Sequence, residues 1–269
     1  MAPAGTDGCV VTWVERPDGR GAADRLLAAV ARAEPDVVIA LDPEPGEGDV
    51  LAASGVPAAA WLVTAPSGGH AGEAHAGFER VLAVSPAVAG RAHVPALWRV
   101  EPLPVADALF AAVRDPGSPP RIFFDGPASD ARDELLQPVK HGFDVLHLAG
   151  GADEARLADL LGRCDAAIDL AEEAGLAPRE RIGTALAAGL LVLAEDPAER
   201  PGLEPGTHLL TFGGVWDLYD LLTSIRHHPD AYRSIRVRGR RAAEALRASV
   251  VLPRLAADLL ADAVVAAPT

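Results

Sequence analysis

The sequence predicts an α/β protein built from two Rossmann-like lobes. Three observations carry this. Short apolar runs alternate with helical patterns along all 269 residues, which is the signature of parallel βα units. The runs are apolar throughout rather than alternating with polar residues, so the strands they form are covered on both faces. A breaker cluster, "DPGSPP" at Asp115–Pro120, then divides the series into two, because proline and glycine cannot continue the pattern before it.

In the first lobe, residues 1–115, the runs "CVVTWVE", "DVVIALD", "AAAWLVTAP", "RVLAVSP" and "ALWRVEPLP" read as strands. "AADRLLAAVARAE" reads as a helix between the first two, and "VADALFAAVR" as the helix that closes the lobe. In the second, residues 120–250, the strands are "RIFFDG", "FDVLHLAG", "AAIDLA", "LLVLAED" and "HLLTF". Between and after them stand the helices "SDARDELLQPVK", "DEARLADLLGRC", "RIGTALAAG" and "VWDLYDLLTSIRHH". Residues 251–269 form a last helix, with Pro253 expected in its first turn, where a missing N–H costs nothing. Two such lobes place a ligand in the cleft at the carboxyl ends of the strands.

Composition narrows the function. A net charge of -14 with a single lysine, Lys140, works against a nucleic-acid surface, since that affinity comes from Lys and Arg neutralising phosphates. Cys9 and Cys164 have no metal-like or redox spacing and are expected to be buried thiols in a reducing cytoplasm. The amino terminus "MAPAGTDG" has no basic region, and the apolar run after it is too short to span a bilayer, so a protein without a membrane span is expected. No G-x-G-x-x-G, P-loop, G-x-S-x-G or metal-ligand cysteine pair occurs at the required place. No cofactor and no bound metal are therefore expected.

Two places suit an anion. After the strand "RIFFDG", which ends in Gly126, Ser129 is placed to cap a helix whose early turn carries Arg132; free N–H groups and a guanidinium then point the same way. In "ERIGTALAAG", Ile182, Ala185, Leu186 and Gly189 share one apolar face, which leaves Arg181 and Thr184 off that face at the start of the helix. In the first lobe, "SGGHAGEAHAG" gathers His70, Glu73 and His75 on a glycine-rich segment after a strand, and Asp42 ends another strand. His70, His75 and Asp42, at strand ends, are the catalytic candidates of this lobe, with a metal site or a plain solvated loop as the alternatives for the histidine segment.

Taken in order, these blocks resemble a known family. The segment "RIGTALAAGLLVLAEDPAERPGLEPGTHLLTF", followed by "HHPDAYRSIRVRGRRAAEAL", is similar to the C-terminal lobe of GT-B glycosyltransferases, in particular the spore-maturation (CgeB-like) group-1 branch. "GVPAAAWLVTAP", "FERVLAVSPAV", "PLPVADALF" and "FFDGPASDARDELL" are similar to further blocks of that family, so the resemblance runs over about residues 56 to 250. It implies a nucleotide-diphosphate sugar held by the second lobe, with Gly126, Ser129, Arg132, Arg181 and Thr184 on the donor side. It also implies an unknown acceptor on the first lobe and a final helix that crosses back to brace that lobe. The family places a ribose-binding glutamate where this chain has Thr184, and a related subgroup has a second one at the position of Leu176. These departures leave a second expectation open, a non-catalytic GT-B-like binding or assembly partner. A sugar-nucleotide epimerase on the same architecture would need clustered carboxylates and histidines, which only the Glu73 region suggests.

Overall fold

The computed structural model describes residues 5–6, 9–17, 19, 21–64, 75–95, 97–117, 119–126, 129–170, 180–195 and 202–266. Contacts divide the chain into two units: residues 1–103, 172–178 and 249–269 form the first, and residues 104–171 with 179–248 the second.

The first unit opens with β1 (Gly5–Thr6) antiparallel to β2 (Cys9–Val10). There follow α1 (Ala22–Ala33), β3 (Val38–Leu41), α2 (Glu47–Ala52), β4 (Ala58–Leu62), β5 (Arg80–Ala83), α3 (Pro86–Arg91) and β6 (Arg99–Val100). Strands β3 to β6 pair in parallel in that order. Side chains alternate along a strand, and β4 uses both faces. Ala60 and Leu62 pack with Val88, Ala89 and Ala92 around α3, while Ala59 and Trp61 face the other way.

In the second unit come β7 (Arg121–Asp125), α4 (Asp130–Gly142), β8 (Asp144–Leu148), α5 (Glu154–Gly162) and β9 (Ala166–Asp169). Then follow α6 (Glu180–Ala187), β10 (Leu191–Glu195), β11 (Leu210–Phe212), α7 (Val215–His227) and α8 (Arg233–Ala242). The five strands are parallel in the order β11-β10-β9-β7-β8. On one face Phe123, Ala167 and Val192 meet Leu161 of α5 and Ile182, Ala185 and Leu186 of α6; on the other, Ile122, Phe124, Ile168 and Leu193 meet Leu136 of α4 and Leu218 and Leu222 of α7. Both faces are covered, as apolar strand sequences require.

Helix α8 is rich in arginine yet packs inward, because its guanidinium groups satisfy backbone carbonyls. Arg236, only 3% exposed, donates from Nε to the Gly189 carbonyl at 3.0 Å. Arg238 donates to Thr207 and Arg240 to Ala111. The last helix, α9 (Ala248–Ala266), belongs to the first unit from Ser249 onward, and its Val251, Leu255 and Leu259 pack on Ala59, Trp61 and Leu82. Ion pairs from Arg254 to Glu101 at 2.6 Å and from Arg99 to Asp258 at 2.8 Å fix the same helix to β6 and the chain just beyond it.

Several expectations are corrected. "CVVTWVE" forms only the two residues of β2, and residues 11–15 carry no strand; Arg16 instead ties this stretch to the end of β3 by donating to the Leu41 and Asp42 carbonyls. "VADALFAAVR" yields one 3-10 turn, Asp107–Leu109, rather than a helix. Its backbone is taken by other partners: Val105 N–H donates to Leu246, the Val105 carbonyl accepts from Ala248, and Ala111 N–H donates to Ala187. Arg240 and Arg247 both stack on Phe110, at 4.8 and 3.9 Å from its ring centre. Pro253 lies inside α9, which begins five residues earlier at Ala248. Cys164 is fully buried, as expected, but Cys9 is only half-buried. Among the described residues no helix is long and apolar enough to cross a membrane.

Candidate functional site

The second unit contains a cavity of about 110 Å³. Its apolar wall includes Phe123, Leu157, Leu161, Ile182 and Val192, and its polar groups are Asp125, Asp169, Arg181 and Thr184. Phe123 and Asp125 come from β7, Asp169 ends β9, and the last two residues sit in the first turns of α6. In a parallel sheet the carboxyl ends of neighbouring strands open on one edge, and β7 pairs directly with β9.

Gly126 follows β7 and is the centre of the arrangement. A Cβ placed there would stand 3.2 Å from Nη1 of Arg181 and 3.3 Å from Nη1 of Arg132, so two guanidinium groups converge on one glycine that leaves them room. Arg132 is 7% exposed. Its own N–H donates to the Ser129 hydroxyl at 3.3 Å, which makes Ser129 the N-cap of α4. Arg181 donates from Nη1 to the Asp125 carbonyl at 2.8 Å, and its Nε lies 3.7 Å from Oδ1 of Asp169. Two like charges drawn together beside a capped helix start suit an anion with several oxygens.

Behind Gly126 the backbone is fixed. Gly126 N–H donates to Leu148, and its carbonyl accepts from His147 Nε2 at 2.8 Å. Lys140 donates to Nδ1 of the same imidazole at 3.4 Å and is paired with Asp133 at 2.9 Å. The lysine occupies Nδ1, so the imidazole proton sits on Nε2, facing the carbonyl. Burial raises the Asp125 carboxyl above the usual carboxylate range, while the charge of Arg181 acts in the opposite direction.

All five donor-side residues expected from the sequence thus fall at the carboxyl edge of one sheet, and Gly126, Arg132 and Arg181 are within touching distance. Thr184 lines the cavity, half-buried. Asp125 and Asp169 were not among the residues expected there. Each is an aspartate closing an otherwise apolar run, "RIFFD" and "AAID", and that ending is the signal that marks them.

The first-unit candidates are each placed separately. Asp42 adopts φ +43, and its carboxylate accepts from Val63 N–H at 2.7 Å, Thr64 N–H at 3.0 Å and the Thr64 hydroxyl at 2.8 Å, which staples the end of β3 to the chain leaving β4. His75 is 8% exposed, and its Nδ1 is buried without a hydrogen-bond partner among the described residues. Burial lowers its pKa, which favours the neutral ring. The turn that carries it rests backbone to backbone on α2, with Gly48 against the Ala76 carbonyl and Gly77 against Asp49. His70 and Glu73 lie outside the described residues, as does Leu176. Among the described residues no group of three His, Cys, Asp or Glu side chains is placed to hold a metal ion.

Two parallel sheets, each covered on both faces, with the last helix packed on the first, match the two Rossmann-like lobes of GT-B glycosyltransferases. Solved structures of that class share it. A glycosyltransferase from Rickettsia africae aligns with a TM-score of 0.64 at 12% identity, over 96% of this chain and 85% of its own. Anabaena HepE, solved in complex with UDP-glucose, aligns with a TM-score of 0.62 at 14% identity, over 90% and 82% of the two chains. Sucrose-phosphate synthase from Thermosynechococcus elongatus aligns with a TM-score of 0.60 at 14% identity, over 89% and 77%. At such identities the likeness establishes the fold alone. No protein-family model matches the chain, and no curated protein matches it in sequence.

Proposed function

We propose that the chain is a glycosyltransferase of the GT-B class that holds a nucleotide-diphosphate sugar on its second unit and transfers the sugar to an acceptor. The observation that carries this reading is the convergence of Arg132 and Arg181 on Gly126 beside the Ser129 cap. In the transfer, the bond from the anomeric carbon to the β-phosphate oxygen breaks and the diphosphate keeps the electron pair. The acceptor hydroxyl forms the new bond and gives up its proton. The two guanidinium groups stabilise the charge that develops on the diphosphate, which requires no metal ion in that role. His75, a buried imidazole favoured in its neutral form, is the proton acceptor proposed on the first unit. Asp42, with both oxygens already accepting hydrogen bonds, holds Val63 and Thr64 at the end of β4. The ordered blocks between residues 56 and 250 support a place near the spore-maturation (CgeB-like) branch.

Calorimetric titration of UDP-, GDP- and ADP-sugars against the wild type and Arg181→Ala tests the reading. Binding that is lost in the variant supports it, and hydrolysis of the bound donor is then the next measurement. Absence of binding at millimolar ligand overturns it. One observation favours a second reading, a GT-B-like binding protein without turnover. Arg181 is already engaged by the Asp125 carbonyl and lies near Asp169, while Thr184 supplies no carboxylate. Donor binding with no hydrolysis and no transfer would select it.

A further inference from the structure

Asp169 needs a reason to be in this cavity. It is 5% exposed, it ends β9 among Ile168, Ala167 and the apolar wall, and it stands 3.7 Å from the Arg181 guanidinium. If the site took a bare phosphate or pyrophosphate, this carboxylate would oppose it, because a like charge beside the anion costs free energy and Arg181 is partly neutralised beforehand. The same carboxylate becomes favourable when the ligand carries hydrogen-bond donors next to its phosphates. A charged oxygen accepts from a hydroxyl more strongly than a neutral one does, and the effect is larger where water is excluded. The separation of 3.7 Å between the Arg181 Nε and the Asp169 Oδ1 is a through-space attraction, beyond hydrogen-bond length.

We propose that Asp169 is the hydroxyl-binding residue of the site: its carboxylate accepts hydrogen bonds from a sugar joined to the phosphates that Arg132 and Arg181 hold. The proposal rests on the nucleotide-sugar reading and adds to it a residue and a selectivity, for phosphate esters of a polyol over phosphate alone. Thr184, in the same cavity, offers a neutral hydroxyl beside it. The hydroxyls come either from the nucleotide ribose or from the transferred sugar, and the ligand series below distinguishes these two sources.

The full chain, wild type and Asp169→Asn, is titrated with inorganic pyrophosphate, UDP, 2′,3′-dideoxy-UDP and UDP-glucose. The wild type is expected to prefer a hydroxylated ligand over its hydroxyl-poor counterpart by about tenfold or more, the worth of one hydrogen bond to a charged group. In Asp169→Asn that preference collapses to within about twofold, and pyrophosphate binds as well as before or better, since the opposing charge is gone. A preference for UDP over its dideoxy form assigns the ribose, and one for UDP-glucose over UDP assigns the hexose. Equal loss of every ligand in the variant makes Asp169 merely structural and overturns the proposal, as does unchanged preference. If Asp169→Asn does not fold, the wild-type series still decides: pyrophosphate, UDP, its dideoxy form and UDP-glucose binding equally well removes the proposal and leaves the anion site standing. No binding of any of the four ligands removes the nucleotide-sugar reading and this proposal together.

Discussion

Gly239 of α8 lies so close to Leu186 of α6 that a Cβ on the glycine would stand 2.7 Å from the leucine Cδ2, with the His208 carbonyl oxygen nearer still. Helix α8 therefore braces the helix that carries Arg181, and Arg236 adds a second tie through Gly189 at the end of α6. In an open helix Gly→Ala gains about 1 kcal/mol. Here the added methyl meets a backbone carbonyl that has nowhere to go, and overpacking of this kind costs about 1–3 kcal/mol. Gly239→Ala is expected to lower the melting temperature in calorimetry; an increase would show that the two helices are not held together at this point.

The Asp125 carboxyl is raised by burial, and a native group with a raised carboxyl pKa holds its proton longer than the unfolded chain does. Stability from this residue is therefore fully present at low pH and declines as pH rises through the ordinary aspartate range toward the native value. Asp125→Asn removes the term. Relative to the wild type, the variant gains stability as pH rises above the ordinary aspartate value of about 3.9, read from melting temperatures across an interval that starts there. A constant difference over the interval would assign Asp125 no titration of its own.

How far the sequence reveals this site depends on which contacts are local. The Ser129 cap and the helix start at Arg181 are local features, and both stand where the residue pattern places them. The reach of Arg132 back to Gly126 is not encoded in periodicity, because it depends on the rotamer of a long side chain in a turn. Asp125 and Asp169 share a cavity only because β9 inserts beside β7, and the order of strands in a sheet is set by long-range packing. The opposite failure occurs at the start of the second unit. "VADALFAAVR" has good helical spacing, yet its N–H and C=O groups find partners in residues 187 and 246–248, far away in sequence. A period in the sequence states which conformation is available, while tertiary hydrogen bonds decide which is used.

Asp42→Ala removes the acceptor of the Val63 and Thr64 N–H groups and of the Thr64 hydroxyl. Leaving half-buried donors without a partner costs about 1–3 kcal/mol. The expected result is a lower melting temperature with pyrophosphate affinity unchanged, since that ligand is assigned to the second unit. Loss of pyrophosphate binding at unchanged stability would reverse this role.

The two thiols should separate chemically. Burial pushes the Cys164 thiol up to about 11, and the residue is fully buried; Cys9 is half-buried. Only a thiolate attacks an alkylating reagent. Native protein at pH 8 is expected to be modified at Cys9 and spared at Cys164, and denatured protein to react at both, as read by peptide mass. Rapid native labelling of Cys164 would mean that the interior opens on the timescale of the reaction.

Gly126→Ala gives the most direct test of the anion site. The new methyl would lie 3.2 Å from the Arg181 Nη1, 3.3 Å from the Arg132 Nη1 and 3.1 Å from the Phe124 Cζ. Each of these neighbours must yield a few tenths of an ångström, and the two arginine ends are able to do so. Stability should thus fall by less than about 1.5 kcal/mol, as for a small overpacking with flexible neighbours. Ligand binding has less tolerance. Two charge-assisted hydrogen-bond donors must meet one diphosphate, and parting them spoils the geometry of both. Affinity for pyrophosphate and for UDP should fall together, by about tenfold or more, because the damage lies at the phosphates rather than at the sugar. Asp169→Asn, by contrast, is expected to weaken only ligands that carry hydroxyls. If Gly126→Ala weakens UDP but leaves pyrophosphate alone, the two arginines do not form the phosphate site, and the anion must be sought elsewhere on the second unit.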